Sequence, residues 1–396
     1  MVAVNALLTN YDLTQQHNSR RFSIDLYHEL AKARHGNIFF SGFSISTAMA
    51  MALAGAGGQT RRQLAEVLRL DENTEDTNTA FRALLDLLAE NPGTFELLTG
   101  NALWGQAGYN FNDEFVRTCQ VCFGAEVHEV DYQNACEAAR QRINGRISEL
   151  TKGRIPCLLN EGTVGPLTTL VLTNAIYFKS DWQNQFDVAS TCEKDRFYSS
   201  PAADPTLVPL MNQTGTFNYA DRTIYDVLEM PYKDNHCSMV VFLPKNRDGL
   251  AAMEAHLTSQ EMDAALASLR PERVMVTFPR FKQSSEFALK SVLNEMVLAK
   301  SGNAAKAFQD TADFGNMSGE NGQPLKIDEI IHKAGTEVDE KGTTAWAATA
   351  VTMVRATSFC PRPMAKIFRA DHPFVYAIRH NKSDEMLFLG RLVSPA

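Results

Sequence analysis

The 396-residue chain has the composition of a globular protein with a sizeable core, since 44% of its residues are hydrophobic and 21% are charged. A formal net charge of -8 and the lack of a lysine- or arginine-rich run argue against nucleic acid as a partner. No apolar segment approaches membrane-span length, and the N-terminus lacks the basic and apolar regions of a secretion signal. We therefore expect no membrane partner and a cytoplasmic location, with an extracellular location after signal removal as the alternative.

Helical periodicity dominates the first third of the chain. Phe22, Leu26 and Leu30 recur every four residues before Gly36, a natural helix stop. Two further amphipathic helices are predicted from apolar residues at helical spacing: Leu64, Val67 and Leu68, then Phe81, Leu84, Leu85 and Leu88. The glycine-rich residues 55–60 follow a helix-like segment rather than a strand, which favours a turn between helices over a phosphate-binding loop.

Two cysteines, Cys119 and Cys122, form a CxxC motif in a segment that is typical of a short helix. A redox or metal role stays open, although we favour buried core thiols. The chain has seven cysteines, so at least one is unpaired within it, and their spacing is too sparse for a disulfide scaffold. The odd number favours a reducing compartment.

The second half of the chain has mostly strand-like segments. Residues 167–178 are apolar enough for a strand buried on both faces, and Ile143, Ile147 and Leu150 predict a helix before it. Further strands are predicted in residues 94–104, 226–244, 273–281 and 384–393. Early helices and later strands without regular alternation indicate an α+β fold in one interlocked unit.

Motifs of the common enzyme classes are absent from the sequence. It contains no GxSxG, HExxH, Walker A or GxGxxG motif. Nothing in the sequence brings its nine histidines together with carboxylates. We expect a protein that is not an enzyme, with no catalytic residues and no metal site.

Four stretches, in this order, carry a family resemblance: residues 37–64, 170–186, 335–350 and 368–378. They resemble the early helix, the central strand with its tryptophan, the reactive-loop hinge and the C-terminal signature of the serpins, the serine-protease-inhibitor superfamily. With weaker likenesses between them, the resemblance covers nearly the whole chain. It implies one serpin domain over residues 1–396, with three β-sheets, about nine helices and an exposed reactive-centre loop at residues 340–360.

The resemblance also implies a function. Inhibitory serpins offer the loop as bait to a serine protease, and some also to a cysteine protease. After the acyl-enzyme forms, the loop enters the largest sheet as a new central strand and traps the protease. The uninserted fold is metastable and persists behind a barrier. A non-inhibitory serpin, a chaperone or carrier, is the alternative.

The hinge of the loop has the composition that insertion requires. No proline lies between Gly342 and Ala356, so every backbone N–H can pair with a neighbouring strand. The resemblance assigns ten residues to the hinge: Glu340, Lys341, Gly342, Thr343, Thr344, Ala345, Trp346, Ala347, Ala348 and Thr349. It puts uncharged residues on the inward face: Thr343, Ala345, Ala347, Thr349, Val351 and Met353. Trp346 departs from the small residue usual in the family, and we expect it to slow insertion without preventing it.

The bait bond follows from family spacing. The scissile carbonyl usually lies sixteen residues after the hinge glutamate, here Glu340, which favours Ala356–Thr357. A small residue at that position suits elastase-like proteases. The alternative bond, Arg355–Ala356, suits trypsin-like proteases, whose pockets pair arginine with a carboxylate. Met353 and Val354 stay open as further alternatives.

Two residue clusters behind the loop are implied by the resemblance. The first, the shutter beneath the sheet centre, comprises Ser41, Ser44, Asn174 and His332. The second, the breach where the loop enters, comprises Trp182, Arg280 and Glu340, and we expect an Arg280–Glu340 ion pair there.

Three glycines depart from the family pattern. Gly42 replaces a proline, and we expect less local rigidity there. Gly145 replaces a tryptophan on the helix over the sheet, and Gly335 replaces a bulkier residue in the strand before the hinge. We expect these two to change how easily the sheet opens.

The region that binds sulfated polysaccharide in many serpins corresponds here to residues 71–92. It is acidic with a single arginine, so we expect no heparin activation and no cofactor. The expected partner is a target protease, elastase-like before trypsin-like. The chain itself is expected to be a monomer that is able to form loop-sheet polymers.

Overall fold

The structure is a computed structural model that describes residues 2–90, 93–200, 204–318, 325–343 and 364–395, with side chains described from residue 18 onward. These ranges contain nine α-helices: α1 (Val2–Ala33), α2 (Gly42–Gly55), α3 (Gly58–Leu68), α4 (Thr74–Ala89), α5 (Asp113–Phe123), α6 (Tyr132–Leu150), α7 (Leu250–His256), α8 (Ser259–Ala267) and α9 (Leu289–Ser301). The predicted helices correspond to α1, α3, α4, α5 and α6. Helices α7, α8 and α9 lie in segments for which no helix is predicted.

Fifteen strands lie in the same ranges: β1 (Ile38–Phe40), β2 (Phe95–Gln106), β3 (Glu126–Val130), β4 (Leu170–Asp181), β5 (Cys192–Phe197), β6 (Thr206–Asp221), β7 (Tyr225–Pro231), β8 (Cys237–Pro244), β9 (Arg270–Pro279), β10 (Phe281–Ala288), β11 (Glu329–Val338), β12 (Gly342–Thr343), β13 (Lys366–Arg369), β14 (Phe374–His380) and β15 (Glu385–Leu392). Every predicted strand segment overlaps at least one of them. The glycine-rich residues 55–60 span the junction between α2 and α3, as predicted, with Ala56 and Gly57 between the two helices.

The strands form two hydrogen-bonded networks. One has six strands in the order β10-β11-β12-β4-β2-β3, and the other has nine, β1-β15-β14-β8-β7-β6-β9-β13 with β5 beside β6. The long strand β6 pairs with β9 over residues 210–219 but with β7 only over residues 218–221. The nine-stranded network therefore divides at β6 into two sheets, which together with the six-stranded sheet gives the three of the prediction.

Strand β4 is the centre of the six-stranded sheet and is buried on both faces, as its continuous apolar sequence predicts. On one face, Ala175 packs in a cluster with Ile143 and Ile147 of α6. On the other, Ile176 and Phe178 pack in a second cluster that extends into the nine-stranded network. The sheet is thus covered by α6 on one side and by the rest of the core on the other.

The strands β11 and β4 are neighbours whose spacing changes along their length. They run parallel and pair directly from Glu329–Val171 to Gly335–Tyr177. Beyond that point the two-residue strand β12 lies between them and pairs with both. We call the boundary between β11 and β4 the seam: it is closed along residues 329–335 and occupied by β12 at its upper end.

No helix in the described part of the chain is both long enough and apolar enough to cross a membrane.

Candidate functional site

The upper end of the seam is built by a tight turn. After β11 the chain reverses at Asp339, whose carboxylate oxygen accepts hydrogen bonds from the N–H groups of Lys341 and Gly342 at 2.8 and 3.1 Å. The Asp339 N–H in turn donates to the Gly342 carbonyl at 2.9 Å. The turn directs Gly342 and Thr343 back into the seam, where they pair with Asp181 and Ser180 of β4.

Gly342 occupies a position that has no room for a side chain. A Cβ added there would lie 2.2 Å from the Ser180 carbonyl oxygen and 2.6 Å from the Asp181 Cα. Both are backbone atoms of β4, so neither can move away as a flexible side chain would. Only glycine permits the chain to approach β4 this closely.

Thr343 is fully buried and is held by its side chain as well as its backbone. Its hydroxyl shares a 2.6 Å hydrogen bond with the Tyr232 hydroxyl. The Tyr232 ring stacks on Trp182, with ring centroids 4.5 Å apart. The stacked pair of Trp182 and Tyr232 thus holds Thr343, the first inward-facing hinge residue, through the Tyr232 hydroxyl.

At the breach, Arg280 and Glu340 lie together. Arg280 Nη2 donates to Glu340 Oε1 at 2.5 Å and Nε to Oε2 at 3.2 Å, a bidentate arrangement, while Thr191 Oγ1 donates to Oε1 at 2.7 Å. Burial alone would raise the pKa of Glu340, but the bonds from Arg280 and Thr191 outweigh it and lower the pKa. Glu340 is therefore an ionised side chain held at the start of the hinge. Arg280 also contacts Glu193 on its exposed side, at 3.2 Å.

Trp182 binds the backbone on both sides of Glu340 rather than its carboxylate. Its indole N–H donates to the Asp339 carbonyl at 2.9 Å, and its backbone N–H donates to the Lys341 carbonyl at 2.7 Å. The N–H of Phe186 donates to the Glu340 carbonyl at 2.8 Å. The three expected breach residues thus lie in one site, and all of them contact residues 339–341.

The shutter residues lie together where β11 and β4 pair. His332 is opposite Asn174 in the ladder, and its Nδ1 is within hydrogen-bond distance of Asn174 Oδ1. The Asn174 amide nitrogen donates to the Ser44 carbonyl at 2.8 Å and to Ser44 Oγ at 2.6 Å. Ser41 caps helix α2 by accepting the Ser44 N–H, and its own N–H donates to His332 Nε2 at 3.1 Å. Side chains from α2, β4 and β11 therefore meet in one buried polar cluster.

These partners define the state of His332. Because the Ser41 N–H is a donor, Nε2 must accept, and because Asn174 Oδ1 is an acceptor, Nδ1 must carry the proton. Complete burial lowers the pKa of His332 to about 3, since the charged ring would be desolvated. The ring is neutral at physiological pH and serves as a hydrogen-bonding link between two strands.

Three residues that the sequence interpretation omits complete the two clusters. Asn101 on β2 accepts hydrogen bonds from the Asn174 amide at 2.5 Å and from the Ser44 hydroxyl at 3.4 Å. Thr191 is hydrogen-bonded to Glu340, and Tyr232 is hydrogen-bonded to Thr343. Asn101 carries a signal, as a polar residue beside Gly100 in an otherwise strand-like segment. Its pairing with Asn174 is a matter of register, which one sequence does not reveal.

The three unusual glycines differ in their surroundings. At Gly42 a Cβ would lie 2.0 Å from Ser23 Oγ, so glycine there matches a close approach of α1 rather than leaving a space. At Gly145 an added Cβ would contact nothing within 4 Å, and the residue is exposed on α6. The expectation that Gly145 changes how easily the sheet opens stays a prediction. At Gly335 the nearest atom would be 3.7 Å away, which is ordinary contact.

Several predicted residues lie outside the described part of the chain. They are the later hinge residues Thr344, Ala345, Trp346, Ala347, Ala348 and Thr349, and the bait residues Arg355, Ala356 and Thr357. Their roles stay predictions.

The six cysteines in the described ranges differ in burial: two are buried, three are partly buried and Cys192 is exposed. Cys119 and Cys237 are buried, and burial raises the pKa of each thiol to about 12, which makes them unreactive. Cys122 is only partly buried, so the expectation that both residues of the CxxC motif are core thiols holds for Cys119 alone. Within the described ranges, no group of three or more histidine, cysteine or carboxylate side chains could hold a metal ion.

Comparison with known proteins identifies the family. The family model described as Serpin (serine protease inhibitor) matches residues 17–395. The chain belongs to the serpin family. Leukocyte elastase inhibitor A of Rattus norvegicus is 36% identical over 94% of this chain and 97% of its own. A serpin-like protein of Thermococcus kodakarensis, itself uncharacterized, is also 36% identical, over 98% of this chain and 89% of its own.

Solved structures confirm the predicted serpin fold. Human thyroxine-binding globulin, solved with bound thyroxine, superposes with a TM-score of 0.86 at 27% identity, covering 98% of this serpin and 99% of the other chain. The predicted α+β architecture with nine helices agrees with such neighbours. Because the fold is shared with a thyroxine-binding protein, the fold alone does not decide between inhibition and transport.

Proposed function

We propose that this serpin is an irreversible suicide-substrate inhibitor of serine proteases, with a reactive-centre loop at residues 340–360. Family membership and the 36% identity to a leukocyte elastase inhibitor support inhibition in general. One observation carries the mechanism: Gly342 and Thr343 already lie between β11 and β4, where both pair with β4 and Thr343 also pairs with β11. The hinge is thus positioned as the first two residues of a strand that the rest of the loop can continue.

The register of those two residues predicts the inserted strand. Since β12 runs antiparallel to both neighbours, each residue forward in the loop moves one residue back along β4 and along β11. From the Thr343–Ser180 and Thr343–Val338 pairs, residue 349 reaches Asn174 on one side and His332 on the other. Those two are already paired with each other, so the two registers agree. Thr349 would then replace the direct His332–Asn174 bond at the centre of the shutter.

Insertion also has a favourable balance of backbone hydrogen bonds. The closed part of the seam is one ladder of seven residue pairs between β11 and β4. A new central strand would replace it with two ladders, one to each neighbour. A loop that is unpaired before cleavage therefore gains hydrogen bonds on both edges, at the cost of its conformational entropy. This difference supports a metastable native state that cleavage releases.

The bait chemistry is an interrupted proteolysis. The protease serine Oγ attacks the carbonyl carbon of Ala356, the Ala356–Thr357 C–N bond breaks, and the proton of the serine passes to the Thr357 amine. Water would next cleave the resulting ester and free the protease. Insertion before that step carries the protease along the sheet and holds the ester intact. The favoured target is elastase-like, with Arg355–Ala356 and a trypsin-like target as the alternative.

Incubation with an elastase-like and a trypsin-like protease tests the proposal. We expect a complex that survives SDS, together with a released C-terminal peptide that begins at Thr357 by mass spectrometry. The Arg355→Gln variant separates the two bonds, because its side chain at position 355 is neither basic nor small: it should retain the elastase-like complex if Ala356–Thr357 is the bait and lose the trypsin-like complex if Arg355–Ala356 is. Clean cleavage without a complex, and without a gain in thermal stability, would instead indicate a non-inhibitory serpin.

A further inference from the structure

Leu167 is an exposed apolar side chain in the turn before β4. It is 90% exposed, whereas its near neighbours in sequence, Leu159 and Leu170, are fully buried. The turn is well defined, since the Thr168 N–H donates to the Gly165 carbonyl at 2.9 Å and Thr168 itself is buried. A leucine held out into solvent on a fixed turn has no role in the core of this chain.

The turn lies immediately beyond the lower end of the seam. Strand β4 begins at Leu170, and the residue before it, Thr169, donates its N–H and its hydroxyl to the Asp328 carboxylate at 2.6 and 2.8 Å. Asp328 directly precedes β11, so these bonds join the residues that immediately precede the two seam strands. Leu167 stands two residues outside that junction.

The register of the hinge extends to this position. Continued from the Thr343–Ser180 pair, an inserted loop reaches Thr168 at residue 355 and Leu167 at residue 356. Both candidate bait residues, Arg355 and Ala356, therefore finish at this turn. Thirteen residues separate residue 343 from residue 356, a travel of about 43 Å at ~3.3 Å per residue.

We infer that Leu167, with the exposed Pro166 beside it, is a contact surface for the trapped serine protease, which reaches it only after complete insertion. The inference rests on the proposed function, because the protease is carried there by the acyl bond. That bond is at the end of the inserted strand, so the protease surface around its active site must lie against this turn. An apolar side chain suits such a surface, because its burial favours the docked protease over one that withdraws and re-forms its active site.

A photocrosslink tests the contact. With p-benzoylphenylalanine placed at position 167, we expect crosslinking to an active elastase-like protease within the SDS-stable complex. We expect none to the same protease with its catalytic serine replaced by alanine, because that protein binds the bait but does not move. The same probe at position 207 is the control, since Leu207 is also an exposed leucine, at 59%, but lies near Pro209, whose carbonyl accepts the Arg280 N–H at the breach.

Release kinetics give a second, independent readout. Leu167→Gln should leave the association rate and the amount of complex unchanged but accelerate the reappearance of active protease about tenfold. Leu207→Gln should have no effect on either. The Leu167 side chain is exposed, so neither its replacement nor the probe is expected to alter folding, which equal thermal stability would verify.

Each outcome has one meaning. A stable complex that does not crosslink at position 167, or that releases protease at the parent rate in Leu167→Gln, overturns the inference alone. Crosslinking to the inactive protease, or between two copies of the serpin, also overturns it, because the contact would then not depend on insertion. No SDS-stable complex with the parent chain overturns the proposed function and the inference with it.

Discussion

His332 on β11 and Asn174 on β4 are directly opposite in the sheet and joined through their side chains, with the histidine Nδ1–H donating to the amide oxygen. The bond spans the seam at the point where Thr349 would enter in the proposed mechanism. It is available only while the imidazole is neutral with its proton on Nδ1, because Nε2 must accept from Ser41. The seam therefore contains a group whose protonation would break its own hydrogen bonding.

Acidification should weaken the native state through His332. Burial lowers the pKa of this histidine from 6.5 to about 3, so between these values the folded chain binds fewer protons than the unfolded chain. Stability therefore falls as pH falls, by about 2 kcal/mol between pH 7 and pH 5 for this group alone. The expected result is a thermal midpoint that changes less favourably from pH 7 to pH 5 in the parent than in His332→Gln.

The pH dependence of stability must be compared between the parent and His332→Gln, because the buried Glu385 changes stability in the opposite direction. Burial raises the pKa of Glu385 to about 7, so the folded chain binds an extra proton and gains stability as pH falls from 7 towards 4.5. The parent profile alone is thus a sum of opposed contributions. Identical pH dependence in the parent and in His332→Gln would contradict the assigned role of His332.

The Arg280–Glu340 pair should stabilise the hinge through its buried partner. Glu340 is 7% exposed and Arg280 35% exposed, so Glu340→Gln leaves an arginine that water can partly solvate. We expect a loss of about 2 kcal/mol, less than for a fully buried pair, and a larger loss for Glu340→Lys, which places two positive charges together. The measurements are the thermal midpoint and the rate of polymer formation on native gels.

Glu193 provides the matched control for that prediction. It contacts the same arginine at 3.2 Å but is 61% exposed, so Glu193→Gln should change stability by less than about 0.5 kcal/mol. If Glu340→Lys and Glu193→Gln unfold and polymerise alike, the pair does not hold the hinge.

Features that lie within one segment of the chain were predictable from the sequence. Apolar spacing was sufficient to predict α1 and the doubly buried strand β4, because each pattern lies within one segment. The Arg280–Glu340 pair was expected from family resemblance, and the two side chains do meet. Helix α7 was not predicted; it has only seven residues, too few for a clear periodic pattern.

Features that depend on register or close approach were beyond the sequence. Asn101 joins the shutter only because it pairs with Asn174 across two strands, and Thr343 meets Tyr232 from a distant part of the chain. Gly42 was interpreted as a loss of rigidity, since a proline is usual there. The contact that explains the glycine is with Ser23, on a helix whose distance from α2 no sequence pattern specifies.

Restoring the family's proline at Gly42 should therefore destabilise this serpin. A Cβ there would meet Ser23 Oγ at 2.0 Å and Ser23 Cβ at 2.8 Å, although proline itself suits the first position of a helix. We expect Gly42→Pro to cost roughly 2 kcal/mol, measured by thermal or urea unfolding. The cost should shrink in a Ser23→Gly background, with Ser23→Gly alone as the reference. Additive effects, or a more stable Gly42→Pro, would support the rigidity interpretation instead.

Gly342 should determine how promptly insertion begins. An alanine Cβ at this position would lie 2.2 Å from the Ser180 carbonyl oxygen, so the hinge of Gly342→Ala must leave its place between β11 and β4. In the proposed mechanism the strand then lacks its first paired residues, and more acyl-enzyme is hydrolysed before the protease is carried away. The number of inhibitor molecules consumed per protease should rise several-fold, while the association rate stays unchanged because the bait is intact.

Gly335→Ala is the control for this effect. Gly335 lies in the preceding strand, but its nearest atom would be 3.7 Å from an added Cβ, so alanine fits without displacing the chain. The stoichiometry of inhibition by Gly335→Ala should equal that of the parent. It is measured by titrating a fixed amount of protease and by gel densitometry of the complex and the cleaved inhibitor. If the stoichiometry of inhibition by Gly342→Ala also equals that of the parent, insertion does not start from the paired position of Gly342 and Thr343. The register that leads from there to His332 and Leu167 would then lose its starting point.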